Sequence, residues 1–287
     1  MLKKCLIVMA LAIAVSSCKK DSDVELQNEQ KLSMDAELRA SLPGNLNQMG
    51  ANGAPLKVCV DKFTNSRPII LGEDDDDVSG RGVAVRGTKW PNGKTLRVYF
   101  INGGQIVRDN VMKFARRWAN HANLHFVVTQ NKAESDIRVG FKVNGDWGHW
   151  SWIGTDANEH KGEQTMNFGD LDRNSSDYDY GYYVLHEFGH AIGLGHEHLS
   201  PLANINWDKP AVYQYYMGPP NNWTRAQVNS NIFDKYKPRE VRNTAYDTNS
   251  IMHYWIPNEF TTDNFSVDEN AYLSDKDKIF IKRIYPG

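Results

Sequence analysis

Cysteine is scarce and placed where it cannot staple the bulk of the chain: among 287 residues there are three, Cys5, Cys18 and Cys59, and none after position 59. No disulfide can brace the C-terminal two thirds, so packing alone must hold that part together. Charge of one sign is also lacking. Lys and Arg number 33 against 35 Asp and Glu, for a net charge of −2, and no basic run stands out. The electrostatic footprint of a nucleic-acid binder is absent, which excludes that class of partner. Nor is there an apolar run of the roughly 20 residues that a membrane-spanning helix needs. What the chain does have is 40% hydrophobic and 11% aromatic residues with 24% charged, enough for one large globular domain rather than a disordered segment.

The first residues read as an address. A basic start (Lys3, Lys4), an apolar run from Leu6 to Val15 and then small residues ending at Cys18 have the layout of a bacterial export signal. Val15-Ser16-Ser17-Cys18 resembles a lipobox, in which the cysteine is lipidated and becomes the mature N-terminus. The polar stretch Lys19-Lys20-Asp21-Ser22-Asp23 is similar to the tether of lipoproteins of the Bacteroidetes type. The expectation is an exported protein with a lipid anchor at Cys18, on the outer membrane or cell surface.

Residues 19–81 are polar and poor in aromatics, with turn pairs at Pro43-Gly44 and Asn52-Gly53 and an acidic run from Glu73 to Asp77. They read as an extended pro-segment. From residue 82 the texture changes. Leu96 to Phe100, Phe126 to Val128, Ile137 to Phe141 and Thr165 to Phe168 predict strands, and Trp147 to Ile153 reads either as an aromatic edge strand suited to receiving a peptide or as an aromatic packing segment. Val111, Phe114, Ala115, Trp118 and Ala122 share one helical face, a second helix is predicted over Tyr182 to Leu194, and a final one near Ser274 to Ile284. The region between the last two helices reads as loops, with Pro201, Pro210, Pro219-Pro220 and Pro238. Domain bounds follow: 1–18 signal, 19–81 pro-segment, 82–287 a domain of α+β class, a sandwich split by a cleft.

The chemistry sits in His186-Glu187-Phe188-Gly189-His190-Ala191-Ile192-Gly193-Leu194-Gly195-His196. Residues four apart face the same way on a helix, so His186 and His190 can present imidazoles to one point. Gly193 can take a positive φ and end the helix sharply enough to bring His196 in as a third ligand. Three neutral imidazoles leave one position of a tetrahedral zinc open, the mark of a catalytic rather than a structural site. Glu187 follows the first ligand without ligating, as a general base and acid requires.

On these residues the chain resembles the metzincin zinc endopeptidases, and the neighbouring ones are similar to the astacin branch. His196 continues as His196-Glu197-His198, similar to the H-E-H of astacins, where the glutamate holds the new N-terminus, through water, once the pro-segment is removed. His198 is read as structural. Ser250-Ile251-Met252-His253-Tyr254 is similar to the family's Met-turn, which places Met252 beneath the three histidines and makes Tyr254 a displaceable zinc ligand that donates to the oxyanion. Val85 to Phe100 and Leu273 to Pro286 resemble the family's opening and closing segments. The resemblance implies a metzincin-like catalytic domain over residues 82–287, with a twisted mixed sheet, two main helices and an active-site cleft between N- and C-terminal subdomains, together with one catalytic zinc, protein or peptide substrates and a monomer. Unlike animal astacins, this chain has no intradomain disulfide.

Two residues compete as the latency ligand. Cys59 is the only thiol left after export apart from a lipidated Cys18, and a thiolate ligates zinc well. Astacins use an aspartate, and Leu71-Gly72-Glu73-Asp74 echoes that element, making Asp74 the rival. Maturation is expected near Arg81-Gly82. A zinc-bearing surface lipoprotein acting as a non-catalytic binding module or adhesin is the alternative function, and the retention of Glu187, which ligates nothing, argues against it.

Overall fold

The computed structural model describes residues 59–62, 82–219, 221–243 and 245–287. The expectations for Cys18 and Asp74 fall outside the described residues. Eight strands are present among those described: β1 (Cys59–Lys62), β2 (Val83–Val85), β3 (Thr95–Phe100), β4 (His125–Val128), β5 (Ile137–Phe141), β6 (His149–Trp152), β7 (Met166–Phe168) and β8 (Val241–Asn243). Six of them form one sheet in the order β1-β6-β7-β5-β3-β4, and β2 pairs with β8. All the ladders of the large sheet are parallel except β6 with β7, so it is mixed, as expected.

Alternation along β3 puts Leu96, Val98 and Phe100 inside. Strand β5, flanked on both edges, is buried almost throughout, as a central parallel strand must be. Helix α1 (Gln105–Ala119) turns Val107, Val111, Phe114, Ala115 and Trp118 inward. It packs on α2 (Asp177–Ala191), where the Trp118 indole donates to the Leu185 carbonyl at 2.9 Å and Phe114 stacks on Tyr180. Phe126 of β4 meets Phe188 of α2 edge-on at 5.4 Å. These residues form the main core.

Helix α2 starts at Asp177, five residues before the point that hydrophobic periodicity suggests. Ser176 and Asp179 form a reciprocal capping box, a polar start that an apolar pattern does not register. The stretch expected to be loops holds two short helices, α3 (Lys209–Met217) and α4 (Arg225–Val228). Pro210 lies in the first turn of α3, where its missing N–H costs nothing, and Asp208 caps that helix. Val212, Tyr216, Val228, Ile232, Ile256 and Phe260 gather into a second, aromatic-rich core that also includes Cys59 and Tyr254. Helix α5 (Asp275–Ile284) closes the chain.

With no disulfides, buried donors tie the ends of the domain together. Tyr285 is fully buried; its hydroxyl donates to the Ile192 carbonyl at 2.8 Å and accepts from the Trp90 backbone N–H at 3.1 Å. The Trp90 indole donates to the Ala191 carbonyl at 2.8 Å. Both carbonyls belong to the end of α2, where no further helical turn supplies a donor. Arg138, buried in β5, clips the 154–163 loop by donating to the carbonyls of Ala157 and Glu163. We expect Tyr285→Phe to cost about 1–3 kcal/mol, because it strands one buried carbonyl and one buried N–H. Thermal unfolding should show the melting temperature falling by about 2–4 °C for each kcal/mol lost.

Candidate active site

Helix α2 presents His186 and His190 one turn apart on its buried face. The helix stops after Ala191, and Gly193 takes φ +98°, a conformation a side chain would resist. The turn is held from two sides. Within it, the Leu194 N–H donates to the Gly189 carbonyl and the Gly193 N–H to that of His190. From outside, the Val85 N–H donates to the Gly193 carbonyl at 2.9 Å, and the Gly195 N–H donates to Val83 at 3.0 Å. Strand β2 therefore anchors the turn that delivers His196.

The Nε2 atoms of His186, His190 and His196 lie 3.1–3.2 Å from one another, all buried. His186 Nδ1 is 2.7 Å from the Ile251 carbonyl and His190 Nδ1 is 2.8 Å from that of Leu194. Carbonyls only accept, so both Nδ1 atoms carry hydrogens and the facing Nε2 atoms of neutral rings are lone pairs. Lone pairs converging at this range repel unless a cation lies between them. The spacing suits a tetrahedral zinc, for which bonds of about 2.0–2.1 Å require edges near 3.4 Å. The Cys59 thiol belongs to the same cluster, with its sulfur and the three imidazole nitrogens all within 4.8 Å of one another.

Glu187 is 1% exposed, and one oxygen of its carboxylate accepts from Cys59 Sγ at 3.3 Å. Tyr254 donates its hydroxyl to the Cys59 main-chain carbonyl, and its ring stands edge-on to His196 at 4.4 Å. Cys59 begins β1, which runs parallel to β6 and covers the side of β6 that β7 does not. The edge segment expected over residues 147–153 is thus realised as β6, with β1 lying on it. Trp147 itself is exposed, and the Lys142 ammonium sits over its ring.

Met252 lies under the site. A β-carbon at Gly189, in the last turn of α2, would come within 2.3 Å of Met252 Sδ, so the absence of a side chain there admits the sulfur. The Met252 carbonyl accepts from the Glu197 N–H at 2.9 Å. Buried Asp277 of α5 pins the preceding residues, accepting from Ser250 Oγ at 2.7 Å and from the Ile251 N–H at 2.9 Å. Burial pushes the Asp277 carboxyl up to about 6, while these hydrogen bonds oppose the rise. The Ile251 it fixes is the residue whose carbonyl orients His186. Sequence reasoning missed this. The pattern Ser274-x-x-Asp277 announces a helix cap, which it is, but not the second task.

Glu197 is fully buried. One oxygen accepts from the Asp247 N–H at 2.9 Å, and the other meets no hydrogen-bond partner among the described residues. Burial holds its carboxyl well above the usual range. His253 bonds Tyr246 and the Tyr254 carbonyl, and burial pushes its imidazole down to about 4. His198 stacks on Tyr254, a contact invisible in the sequence.

With this geometry in view, the chain's relatives can be placed. The family model described as Astacin (Peptidase family M12A) matches residues 83–272. A solved structure of myroilysin is 44% identical, covering 72% of this chain and 99% of its own, with a TM-score of 0.69. A crystal structure of myroilysin is 38% identical, covering 86% of this chain and 97% of its own, with a TM-score of 0.58. Zinc metalloproteinase nas-36 of Haemonchus contortus is 24% identical over 209 residues, 72% of this chain. The chain spans only 29% of that relative's length.

The contact between Gly189 and Met252 generates a test. Gly189→Ala should overpack the site by about 1–3 kcal/mol and push the Met-turn away from α2. Metal analysis after dialysis against a weak chelator should then find less zinc retained than in the wild type, alongside a lower melting temperature.

Proposed function

The chain belongs to the astacin family, and on that basis we propose that it is an exported zinc endopeptidase, made as a latent proenzyme, that cleaves protein or peptide substrates as a monomer. The observation that carries the reading is the convergence of three Nε2 lone pairs and the Cys59 thiol in one cluster, with the buried Glu187 carboxylate 3.3 Å from that thiol.

His186, His190 and His196 would hold the zinc, with Cys59 as a further ligand in the latent chain. When bound, zinc supplies Lewis acidity that polarises a scissile carbonyl and acidifies water, so no protein nucleophile is needed. Glu187, buried beside the ligand cluster, takes the proton from the attacking water and returns it to the leaving amine. Tyr254 already donates to a peptide carbonyl in the cleft, that of Cys59. Aimed at a substrate carbonyl as it becomes an oxyanion, one such donor is worth about 3 kcal/mol. Met252 supports the ligands from below, and strand β6 offers its main-chain groups to an extended peptide once β1 has left.

Latency follows from one residue. Cys59 engages the base through its thiol and Tyr254 through its carbonyl, and its sulfur sits with the metal ligands. That single placement favours Cys59 over Asp74 as the latency residue. Removal of the pro-segment near Arg81-Gly82 then frees an amine that Glu197 would hold, through water, at the carboxylate oxygen that meets no hydrogen-bond partner among the described residues. Residues 1–18 direct export, Cys18 carries the lipid at the outer membrane or cell surface, and cleavage near residue 81 releases the enzyme from it.

Glu187→Gln keeps the shape of the side chain and removes its basicity. Casein cleavage should fall by about 10²–10⁴-fold with zinc content unchanged, and chelation should silence the wild type. Normal turnover by that variant would refute the role. Cys59→Ser should raise the activity of the unprocessed chain, measured on the same substrate before any cleavage of the pro-segment. If the variant stays silent, latency rests elsewhere, with Asp74 as the candidate.

A further inference from the structure

His198 has no part in the mechanism above, yet it is 1% exposed and stacks on Tyr254, a residue that does. Its ring lies nearly parallel to the Tyr254 phenol, 28° between planes and 4.3 Å between centroids. The ring is not a metal ligand in this arrangement. Its Nε2 is 2.9 Å from the Asn231 carbonyl, which can only accept, so that nitrogen carries a hydrogen, and His198 is not among the clustered ligands. Asn231 is itself tied down, its side-chain amide donating to the Gln227 carbonyl at 2.8 Å. A fixed carbonyl thus holds a fixed ring, and the ring offers its face to Tyr254. The phenol that lies on that face is the one whose hydroxyl addresses a peptide carbonyl in the cleft.

We propose that His198 is the positioning residue for Tyr254: its imidazole is the plate against which the phenol rests while the hydroxyl donates to a carbonyl, so His198 sets how effectively Tyr254 serves the oxyanion without touching substrate itself. This rests on the assignment of Tyr254 as oxyanion donor. A flat ring is needed because a phenol must swing without losing its contact, and offset stacking tolerates sliding where interdigitated aliphatic packing does not. Without the plate the phenol loses the ring stacked on its face, while its edge contact with His196, at 4.4 Å, does not restrain sliding in the same plane. The effect belongs to the transition state, because the oxyanion forms there and not in the bound substrate.

The test is a double-mutant cycle on the enzyme matured from the full-length chain, with kcat and KM measured for wild type, His198→Ala, Tyr254→Phe and the double variant. His198→Ala should lower kcat about tenfold with KM within about twofold, the size expected for loss of one aromatic stacking contact that orients a donor. In the Tyr254→Phe background the same change should cost less than about twofold, because the hydroxyl it positions is gone. His198→Phe, which keeps a flat ring and loses the bond to Asn231, should recover most of kcat, whereas His198→Leu should not. That pair decides the matter if the alanine variant does not fold, with zinc content and melting temperature checked for each protein. Equal losses from His198→Ala in both backgrounds, or equal activity of the Phe and Leu variants, would overturn the role of His198 alone. Full activity of Tyr254→Phe would instead overturn the assignment on which it depends.

Discussion

Three imidazole nitrogens that face one another at 3.1–3.2 Å in a buried site form the constraint on which the rest of the structure depends. Neutral rings do not gather lone pairs in this way by preference; something must hold them. For His186 and His190 the holder is a backbone carbonyl that takes the Nδ1 hydrogen and so settles both tautomer and ring angle. One of these carbonyls, Leu194, belongs to the turn that ends the helix, and the other, Ile251, to the Met-turn. The metal ligands are therefore only as well placed as two loops.

Both loops are braced from distant parts of the chain. Strand β2 bonds the Gly193–Gly195 turn on one side and β8 on the other. Asp277 on the last helix grips Ser250 and Ile251, while Trp90 and Tyr285 satisfy the carbonyls at the end of α2. The start and the finish of the domain thus meet behind the site. In a chain with no cysteine after position 59, buried donors and acceptors supply the cross-linking that disulfides give elsewhere. Such groups also resist rearrangement, since each would be left unsatisfied if its partner moved.

The same economy appears in front of the site. Cys59 contacts the base, the tyrosine and the ligand cluster at once, because an extended strand offers a side chain and a carbonyl at a single residue, and pairing with β6 fixes where they point. Tyr254 and His198 sit on the far wall, joined to the aromatic cluster of the C-terminal part. A strand on the edge of the sheet and a phenol from the opposite core meet over the histidines, which is the arrangement an extended peptide would also encounter.

Much of this was legible in the amino-acid sequence, because it depends on short-range periodicity. The pairing of His186 with His190 follows from a helical turn, the bend at Gly193 from the one residue that takes φ +98° without strain, and strands β3, β5 and β7 from their apolar runs. The resemblance to astacins rested on that same local spacing, and the match over residues 83–272 agrees with it. The start of α2 and the whole of α3 were hidden by polar caps and by a proline in a first turn, residues that signal a helix only in combination with the turn they open. Asp277, Tyr285 and His198 could not be assigned their contacts at all, since their partners lie 26, 93 and 56 positions away. Sequence spacing determined which side chains could meet through a turn of helix; only the folded chain decided which distant carbonyls, rings and carboxylates hold them still, because those contacts arise from packing between elements that no local pattern encodes.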